Sequence, residues 1–206
     1  MTAESKTRKY RKARRAELET QTRLRITEAA MELHGTVGPA RTTISGVAER
    51  AGVQRATVYR HFPDEEALFA ACSAHWYSLR PPPDQERWAE VSDPHERLRT
   101  ALTELYDWYG WAEPMLVNTT RDAPLVPAMA PASRRFAERF VAMRDVLVRG
   151  RPERGRRRRR VAGALAHAIS FSTWQSLRRQ GEMSDPEAID LMLATVAAAA
   201  AIDPGN

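Results

Sequence analysis

The stretch over residues 43–62 constrains the fold of this chain more than any other segment does. It contains an apolar stripe with the i, i+3, i+4, i+7 spacing of a short helix, formed by Ile44, Val47, Ala48 and Ala51. Thr43 precedes the stripe, where its hydroxyl can cap the first free amides, and Gly52 follows it, where a positive φ ends a helix. A second short helix fits residues 55–61, with Val58 facing back onto the first. The pattern predicts two short helices joined by a tight turn.

The second helix leaves hydrogen-bonding side chains outside the apolar stripe, and two of them are permanently cationic. A helix-turn-helix uses such a face to contact phosphates and base edges in the major groove of DNA. We therefore predict a DNA-contacting set made up of Thr42, Thr43, Gln54, Arg55, Ala56, Thr57, Tyr59, Arg60 and His61. The spacing alone also fits a small helical hairpin with a solvated basic face.

Further residues at fixed offsets carry a resemblance to a known family. The signature of the TetR family of bacterial transcription regulators is similar to three segments here: T-x-x-x-V-A-x-x-A-G-V at residues 43–53, T-V-Y-R-H-F at 57–62 and D-x-E-x-L at 64–68. With the helix before them, these segments cover about a third of the chain. The resemblance implies an all-α fold, in which an N-terminal three-helix DNA-binding domain precedes a larger helical domain for ligand binding and dimerisation. Glu65 departs from the family, which usually has a phosphate-contacting lysine there.

Positive charge is concentrated in two segments of this 206-residue chain, whose net charge is +6. Residues 1–17 hold seven basic residues against two acidic ones, and residues 149–160 hold eight arginines against one glutamate. Because residues 1–17 have no apolar periodicity, we predict a disordered basic arm, with a solubilising tail as the alternative. The arm would contact DNA phosphates or the minor groove through Lys6, Arg8, Lys9, Arg11, Lys12, Arg14 and Arg15. The run Arg156–Arg160 opposes the dipole of the helix that it begins, and we predict that it is solvated rather than DNA-binding.

The periodicity of the rest of the chain is helical and predicts about nine helices in all. Outside the two-helix motif, the clearest are expected at residues 18–34, 64–79, 94–109, 132–149, 161–177 and 187–202. Gly110 and Pro114 are expected to interrupt a helix. The predicted organisation is an arm at 1–17, a DNA-binding domain at 18–66 and a ligand-binding and dimerisation domain at 67–206.

Large aromatic side chains in the predicted larger domain suggest a ligand pocket. Rings beside Gly110 and Pro114 are hard to pack without gaps, and ligand pockets are typically apolar with a few polar groups. The predicted ligand contacts are Tyr106, Tyr109, Trp111, Met115, Asn118, Arg121, Phe136, Phe140, His167, Phe171 and Trp174. For any one of them taken alone, and above all for His167 between alanines, an ordinary core position is the preferred interpretation, and the argument for a pocket rests on the group. The expected effector is an apolar or aromatic small molecule.

A two-fold homodimer is expected, because one short helix-turn-helix reads too few base pairs for useful specificity. The helices at 161–177 and 187–202 are apolar enough to form an extensive interface. The resemblance implies that the last two helices pair with their mates as a four-helix bundle.

Motifs of catalysis and of cofactor or metal binding are not found in the sequence, and the five histidines have no ligand spacing. We therefore expect no catalytic residue, no cofactor and no metal. One cysteine, no apolar run of membrane-spanning length and no secretory signal point to a reducing cytoplasm. The resemblance implies that this cytoplasm is bacterial and that the protein acts at the nucleoid. The leading hypothesis is a DNA-binding regulator, most simply a repressor that a ligand releases. The alternatives are an all-helical enzyme or small-molecule carrier with an incidental helix-turn-helix, and a DNA-organising protein without sequence preference.

Overall fold

The computed structural model describes the backbone of residues 3–202 and the side chains of residues 10–202. Every regular element within residues 3–202 is helical, which confirms the all-α prediction, with ten α-helices where about nine were predicted. Their bounds are α1 Ala3–Thr36, α2 Ile44–Arg50, α3 Arg55–His61, α4 Glu65–Leu79, α5 Gln85–Ala89, α6 Pro94–Asp122, α7 Ala130–Val148, α8 Gly155–Ala168, α9 Phe171–Arg179 and α10 Asp185–Ala201. Single 3-10 turns lie at Pro39–Arg41 and Pro127–Met129. None of the helices in this part of the chain is long and apolar enough to cross a lipid bilayer.

The helices form two compact units. The first contains the residues up to 80 together with 114–132, and the second contains 81–113 together with the residues from 133 onward. α6 and α7 therefore each contribute to both units. The predicted functional boundary after residue 66 falls inside α4, whereas all of α4 belongs to the first unit.

The first unit has an apolar core supplied mainly by α1 to α4, with Met129 from the 3-10 turn Pro127–Met129. Its buried members are Ile26, Ala29, Ala30, Val47, Ala48, Ala51, Val58, Phe62, Leu68, Phe69, Cys72 and Met129. His34 belongs to the same interior: its Nδ1 lies 3.2 Å from the Cys72 Sγ, and its ring lies against Phe69. Burial lowers the pKa of His34 to about 4 and raises the pKa of Cys72 to about 12. Both groups are therefore neutral near pH 7.

The prediction of a disordered arm over residues 1–17 is wrong for residues 3–17, which are the first half of α1. The segment is rich in arginine, lysine, alanine and glutamate, all of which favour helix. The part of α1 that begins at Ile26 packs on the core and supplies the nucleus, so the helix extends outward without a second nucleation cost. The side chains of Lys6, Arg8 and Lys9 lie outside the described residues.

Gly110 and Pro114 do not interrupt α6, which continues to Asp122. The proline ring crowds the carbonyl four residues earlier, and that residue is Gly110, whose backbone is the most free to adjust. Tyr109 and Ala112, on either side of Gly110, are buried, so tertiary packing holds the helix through this point. The division between the two compact units falls between Glu113 and Pro114.

The helix predicted over residues 161–177 is divided into α8 and α9. Ser170 begins α9 as its N-cap, because its hydroxyl accepts a 3.2 Å hydrogen bond from the Thr173 amide. The carbonyls of Ala168 and Ile169 are left free by the break, and they accept hydrogen bonds from two tyrosine hydroxyls of α6. The break therefore depends on a partner that lies some 60 residues earlier in the chain.

The arginine run at residues 156–160 lies within the first half of α8 and is mainly exposed, as predicted. Arg157 donates to the carbonyl of Ala200, and Arg160 donates to that of Ile202. Both carbonyls lie at the C-terminal end of α10, where a helix attracts positive charge. These two cations, which oppose the dipole of their own helix, thus cap a neighbouring one.

A buried cation caps α7 in the same unit. Arg97 is only 5 % exposed, and its guanidinium donates to four carbonyls, those of Val91, Ser92, Val146 and Arg149. Two of these carbonyls belong to the C-terminal end of α7, so the charge meets the negative end of the helix dipole. The five N–H donors of arginine suit several acceptors at once.

Candidate nucleic-acid interface

The turn between α2 and α3 is built as the sequence predicts. The Thr43 Oγ1 accepts from the Gly46 amide at 3.0 Å and caps α2. Gly52 has a φ of +65°, its amide donates to the Glu49 carbonyl, and the Val53 amide donates to Ala48. This pair of bonds is the Schellman arrangement, which stops a helix and reverses the chain.

α3 separates a buried face from an exposed one. Val58 is completely buried and Phe62 nearly so, both against the core of the first unit. On the other face, the predicted DNA-contacting residues Gln54, Arg55, Ala56, Tyr59 and Arg60 are exposed, and Thr57 is half-buried. Tyr59 keeps 48 % of its surface exposed, so it does not fill the core. The face is free to meet a ligand, although its contacts with DNA stay a prediction.

His61 differs from its neighbours on α3. Desolvation and then the positive charges of Arg60 and Arg23 lower the pKa of its imidazole, so His61 is neutral near pH 7. Its carbonyl accepts from the guanidinium of Arg23, which also lies over the ring of Phe62 at 4.0 Å. Arg23 of α1 thus contacts the end of α3, a contact that periodicity within the 43–62 motif cannot reveal.

Residues beside the motif differ in how free they are. Thr43 is exposed, but the Thr42 hydroxyl is half-buried and donates to the Gly38 carbonyl at 2.9 Å. Asp64 caps α4 by accepting from the Ala67 amide at 2.7 Å, and Glu65 is the first residue of that helix. A carboxylate suits a helix N-terminus but repels a phosphate. The charge of Glu65 is thus opposite to that of the phosphate-contacting lysine that the resemblance implies at this position, and its effect on DNA binding is not tested by the structure.

The turn after α1 is fixed by the C-terminal end of α6. The Asn118 Nδ2 donates to the Gly35 carbonyl at 2.9 Å, and the Asp122 carboxylate accepts from the Ala40 amide at 3.0 Å. Arg121 holds the same carboxylate with two hydrogen bonds of 2.6 and 3.0 Å. The hydrogen bonding from Arg121 is the largest reason why the pKa of Asp122 lies below its ordinary value. We call Asn118, Arg121 and Asp122 the α6 clasp.

The clasp changes the interpretation of two predicted ligand contacts. Asn118 and Arg121 were expected to supply polar groups to a pocket, yet both bind the backbone at the end of α1 within the first unit. Gly38, which sequence reasoning missed, is essential to this packing: its φ is +95°, and a Cβ there would overlap Arg121 and Asp122. The dipeptide Gly38-Pro39 was the available signal, but it indicates a turn without indicating its partner.

Most of the other predicted ligand contacts lie in the second unit and pack against one another. Tyr106 and Tyr109 are buried, and their hydroxyls donate to the carbonyls of Ala168 at 2.8 Å and Ile169 at 2.6 Å. The aromatic cluster of this unit consists of Tyr106, Trp108, Tyr109, Trp111, Phe171 and Trp174, with ring centroids 5.5 to 6.4 Å apart. Burial raises the pKa of both tyrosines far above its ordinary value, so neither ionises near neutral pH.

The remaining predicted ligand contacts are less enclosed. Phe136 is 39 % exposed and Phe140 is half-buried, both on α7. The preferred interpretation of His167 as a core residue is wrong, because its side chain is exposed and its Nδ1 lies 3.1 Å from the Thr173 Oγ1. Met115 belongs to the first unit, beside Gly35.

Comparison with known proteins agrees with this geometry. The family model for bacterial regulatory proteins of the tetR family matches residues 26–72. NalD of Pseudomonas aeruginosa, the secondary repressor of the MexAB-OprM multidrug efflux pump, is 25 % identical, with 91 % of this chain and 99 % of that one covered and a TM-score of 0.61. A putative fatty acid metabolism regulator of Clostridium perfringens is 17 % identical over 87 % of this chain and 100 % of that one, also with a TM-score of 0.61.

A TetR transcription regulator of Haloarcula marismortui is 18 % identical over 88 % of this chain and 97 % of that one, with a TM-score of 0.56. A search of curated proteins gave no match. The family model covers α2, α3 and the buried part of α1, where the capped turn and the exposed recognition face lie. Residues 26–72 are therefore a helix-turn-helix DNA-binding domain of the tetR family of bacterial regulatory proteins, and the chain has the fold of TetR-type transcriptional regulators.

Proposed function

We propose that this regulator is a repressor that binds operator DNA as a homodimer through α3 and leaves it when a small apolar or aromatic molecule binds. The observation that carries the proposal is the division of α3 into a buried apolar face and an exposed polar one. A helix that is anchored in this way presents rigid side chains to the major groove. We further expect the protein to act in the bacterial cytoplasm, at the nucleoid.

Tyr59 and Arg60 are the residues of α3 best placed for operator contacts, since both side chains are exposed. Replacing either with alanine should weaken operator binding by about 1–3 kcal/mol. Arg135→Ala on α7 is a matched control, because it removes one exposed positive charge from the second unit. Binding is measured at fixed salt by fluorescence anisotropy, with an operator selected from a random DNA library. Unchanged affinity in both α3 variants, with normal circular dichroism, would refute the assignment of α3 as the recognition helix.

Sequence preference separates this proposal from a DNA-organising role. Specific regulators bind their sites about 10³–10⁷-fold more tightly than unrelated duplex. A ratio near one, measured with the selected site against a scrambled one, would favour non-specific packaging. Removal of residues 1–15 should chiefly reduce the salt dependence, because it removes phosphate neutralisation.

The homodimer is proposed to form through α8 and α10, within the predicted ranges 161–177 and 187–202. These helices leave small and apolar residues exposed in the single chain, namely Gly163, Leu191, Ala194 and Ala198. Leu191 is 41 % exposed, and a Cβ at Gly163 would meet no atom, so a partner helix has space to approach. Leu191→Arg should lower the mass seen by light scattering to that of a monomer, whereas Leu125→Arg in the first unit should not. A monomeric unmodified protein at micromolar concentration contradicts this part of the proposal.

The effector is proposed to bind near the aromatic cluster of the second unit, where Phe171 is half-buried. Phe136 and Phe140 of α7 remain candidate contacts, because neither is fully buried. NalD represses a multidrug efflux pump, which supports a repressor function here. Apolar and aromatic compounds that raise the melting temperature should also lower operator affinity, by no more than their differential affinity for the two states. A compound that stabilises the protein but leaves operator affinity unchanged contradicts the coupling.

A further inference from the structure

The N-terminal half of α1 has an unusual surface. Residues 10–21 are exposed, and Thr22 is the first partly covered residue, so this part of the helix extends beyond its own domain. The helix continues without a break to the buried part that begins at Ile26. An exposed rigid extension of this kind is distinct from a flexible arm, because each side chain keeps a fixed direction relative to the domain.

One stripe of α1 changes its chemistry where the domain ends. Where α1 packs on the core, the stripe is apolar, and it contains Ile26, Ala30 and Leu33. At about 100° per residue, the same stripe continues toward the N-terminus through Arg23, Glu19, Arg15 and Lys12. Arg14 and Arg25 lie on the opposite side of the helix by the same count. The side of α1 that faces its own domain is thus basic once that domain no longer covers it.

The basic stripe begins next to the recognition helix. Arg23 donates to the carbonyl of His61 at the end of α3 and stacks over Phe62. Arg15 pairs with Glu19 at 3.2 Å, in an exposed ion pair that holds the side chain along the stripe. Lys12 lies eleven residues before Arg23, or about 16 Å along the helix, which exceeds the roughly 12 Å width of the major groove. The stripe therefore spans the distance from the groove that α3 enters to the phosphates at its edge.

We propose that α1 is a rigid phosphate-tracking helix, in which Lys12 and Arg15 bind the DNA backbone beside the groove that α3 enters. Charge complementarity identifies the partner as DNA. The basic stripe continues the domain-facing side of α1 past α3, where it would lie beside the polyanion that α3 is proposed to bind. This inference rests on the proposed DNA contacts of α3. It differs from a flexible arm because the helical phase decides which cations contribute.

Two pairs of substitutions with equal loss of charge test the phase. Lys12→Gln with Arg15→Gln should reduce the slope of log affinity against log salt by about 1.8, because two phosphate contacts are lost. Arg14→Gln with Arg25→Gln should leave the slope nearly unchanged, whereas a flexible arm would use Arg14 as a DNA contact and would lose slope in this variant. Raising the salt from roughly 50 to 200 mM lowers the affinity of the unmodified protein by some factor, and the factor for the Lys12 and Arg15 variant should be about ten times smaller. Equal slopes for the two double variants would overturn the inference.

Insertions into α1 give a second, independent test. Two alanines between Ala16 and Glu17 turn the stripe by about 200°, whereas four turn it by only about 40°. Both insertions are made in the Arg14→Gln background, because two added residues would otherwise bring Arg14 to the place that Lys12 occupies on the stripe. In that background, the two-residue insertion should reproduce the slope of the Lys12 and Arg15 variant, and the four-residue insertion should restore most of the original slope. Equal slopes for both insertions, with unchanged helical content, indicate a flexible arm and overturn the inference. Failure of the unmodified protein to bind any operator specifically would instead refute the proposed function.

Discussion

Gly38→Ala tests how strongly the α6 clasp holds the turn that precedes the helix-turn-helix. Gly38 has a φ of +95° and a ψ of 155°, a backbone region that is essentially restricted to glycine. A Cβ there would overlap the Asp122 carboxylate and the end of the Arg121 side chain. Arg121 can move aside at the surface, but Asp122 is 2 % exposed and also accepts from the Ala40 amide.

The expected loss of stability has two parts. Holding a non-glycine residue in this backbone region costs about 1–3 kcal/mol. Displacing Asp122 from the Ala40 amide removes a hydrogen bond to a charged group, which is worth about 1.5–3 kcal/mol. Together they lower the free energy of unfolding by about 2.5–6 kcal/mol, a large fraction of the roughly 5–15 kcal/mol that stabilises a typical protein.

Alanine substitutions at two other glycines distinguish the backbone cost from the cost of displacing Asp122. Gly52 has a φ of +65°, but a Cβ at this position would meet no atom within 4 Å, so Gly52→Ala should cost only about 1–2 kcal/mol. Gly110 lies in α6 with the same open space, and Gly110→Ala should raise stability by up to about 1 kcal/mol. Urea unfolding followed by circular dichroism measures all three variants. If Gly38→Ala costs no more than Gly52→Ala, the contact with Asp122 contributes nothing, and the reasoning fails.

Three further substitutions have defined outcomes. Asp122→Asn should reduce the free energy of unfolding at pH 7, and this deficit should shrink as the pH falls below about 3.8. The reason is that the pKa of Asp122 is lowered in the folded state, so its ionised form stabilises the fold above about pH 3.8 and this contribution is lost as the carboxylate is protonated. A deficit in urea titrations that is constant from pH 7 to pH 3 would contradict this. Arg97→Lys should lower the free energy of unfolding by about 2–4 kcal/mol in the same assay, because an ammonium group cannot reach all four carbonyls. An unchanged free energy of unfolding would show that these carbonyls do not need the guanidinium as their donor. Tyr109→Phe should cost about 1–3 kcal/mol by leaving the Ile169 carbonyl without its donor; a stability equal to that of the unmodified protein would show that the hydroxyl does not hold the break between α8 and α9.

Local patterns predicted the helix-turn-helix well. The stripe from Ile44 to Ala51, the cap at Thr43 and the reversal at Gly52 all depend on interactions within about five residues, and each is present in the structure. The cap of α4 at Asp64 is equally local, because its carboxylate accepts from an amide three residues later. The DNA contacts themselves depend on a second molecule, so they stay a prediction.

Interactions between distant residues explain what periodicity missed. The end of α8 depends on hydroxyls from Tyr106 and Tyr109, and the arginine run depends on carbonyls at the end of α10. Asn118 has the same sequence signal whether it lines a pocket or binds the end of α1, so only the fold distinguishes the two. The exposed half of α1 was missed because its helix is nucleated by the buried half, and the arm sequence itself has no apolar stripe.

The buried thiol of Cys72 provides a direct measure of how often the DNA-binding unit opens. It is the single cysteine of the chain and is 3 % exposed, and its pKa of about 12 leaves almost no reactive thiolate. A thiol reagent can therefore modify the native protein only during transient opening, so the labelling rate reports the free energy of that opening. Operator DNA that binds only the closed unit must slow the labelling. Affinity and domain opening can thus be followed on the unmodified chain, without an introduced probe.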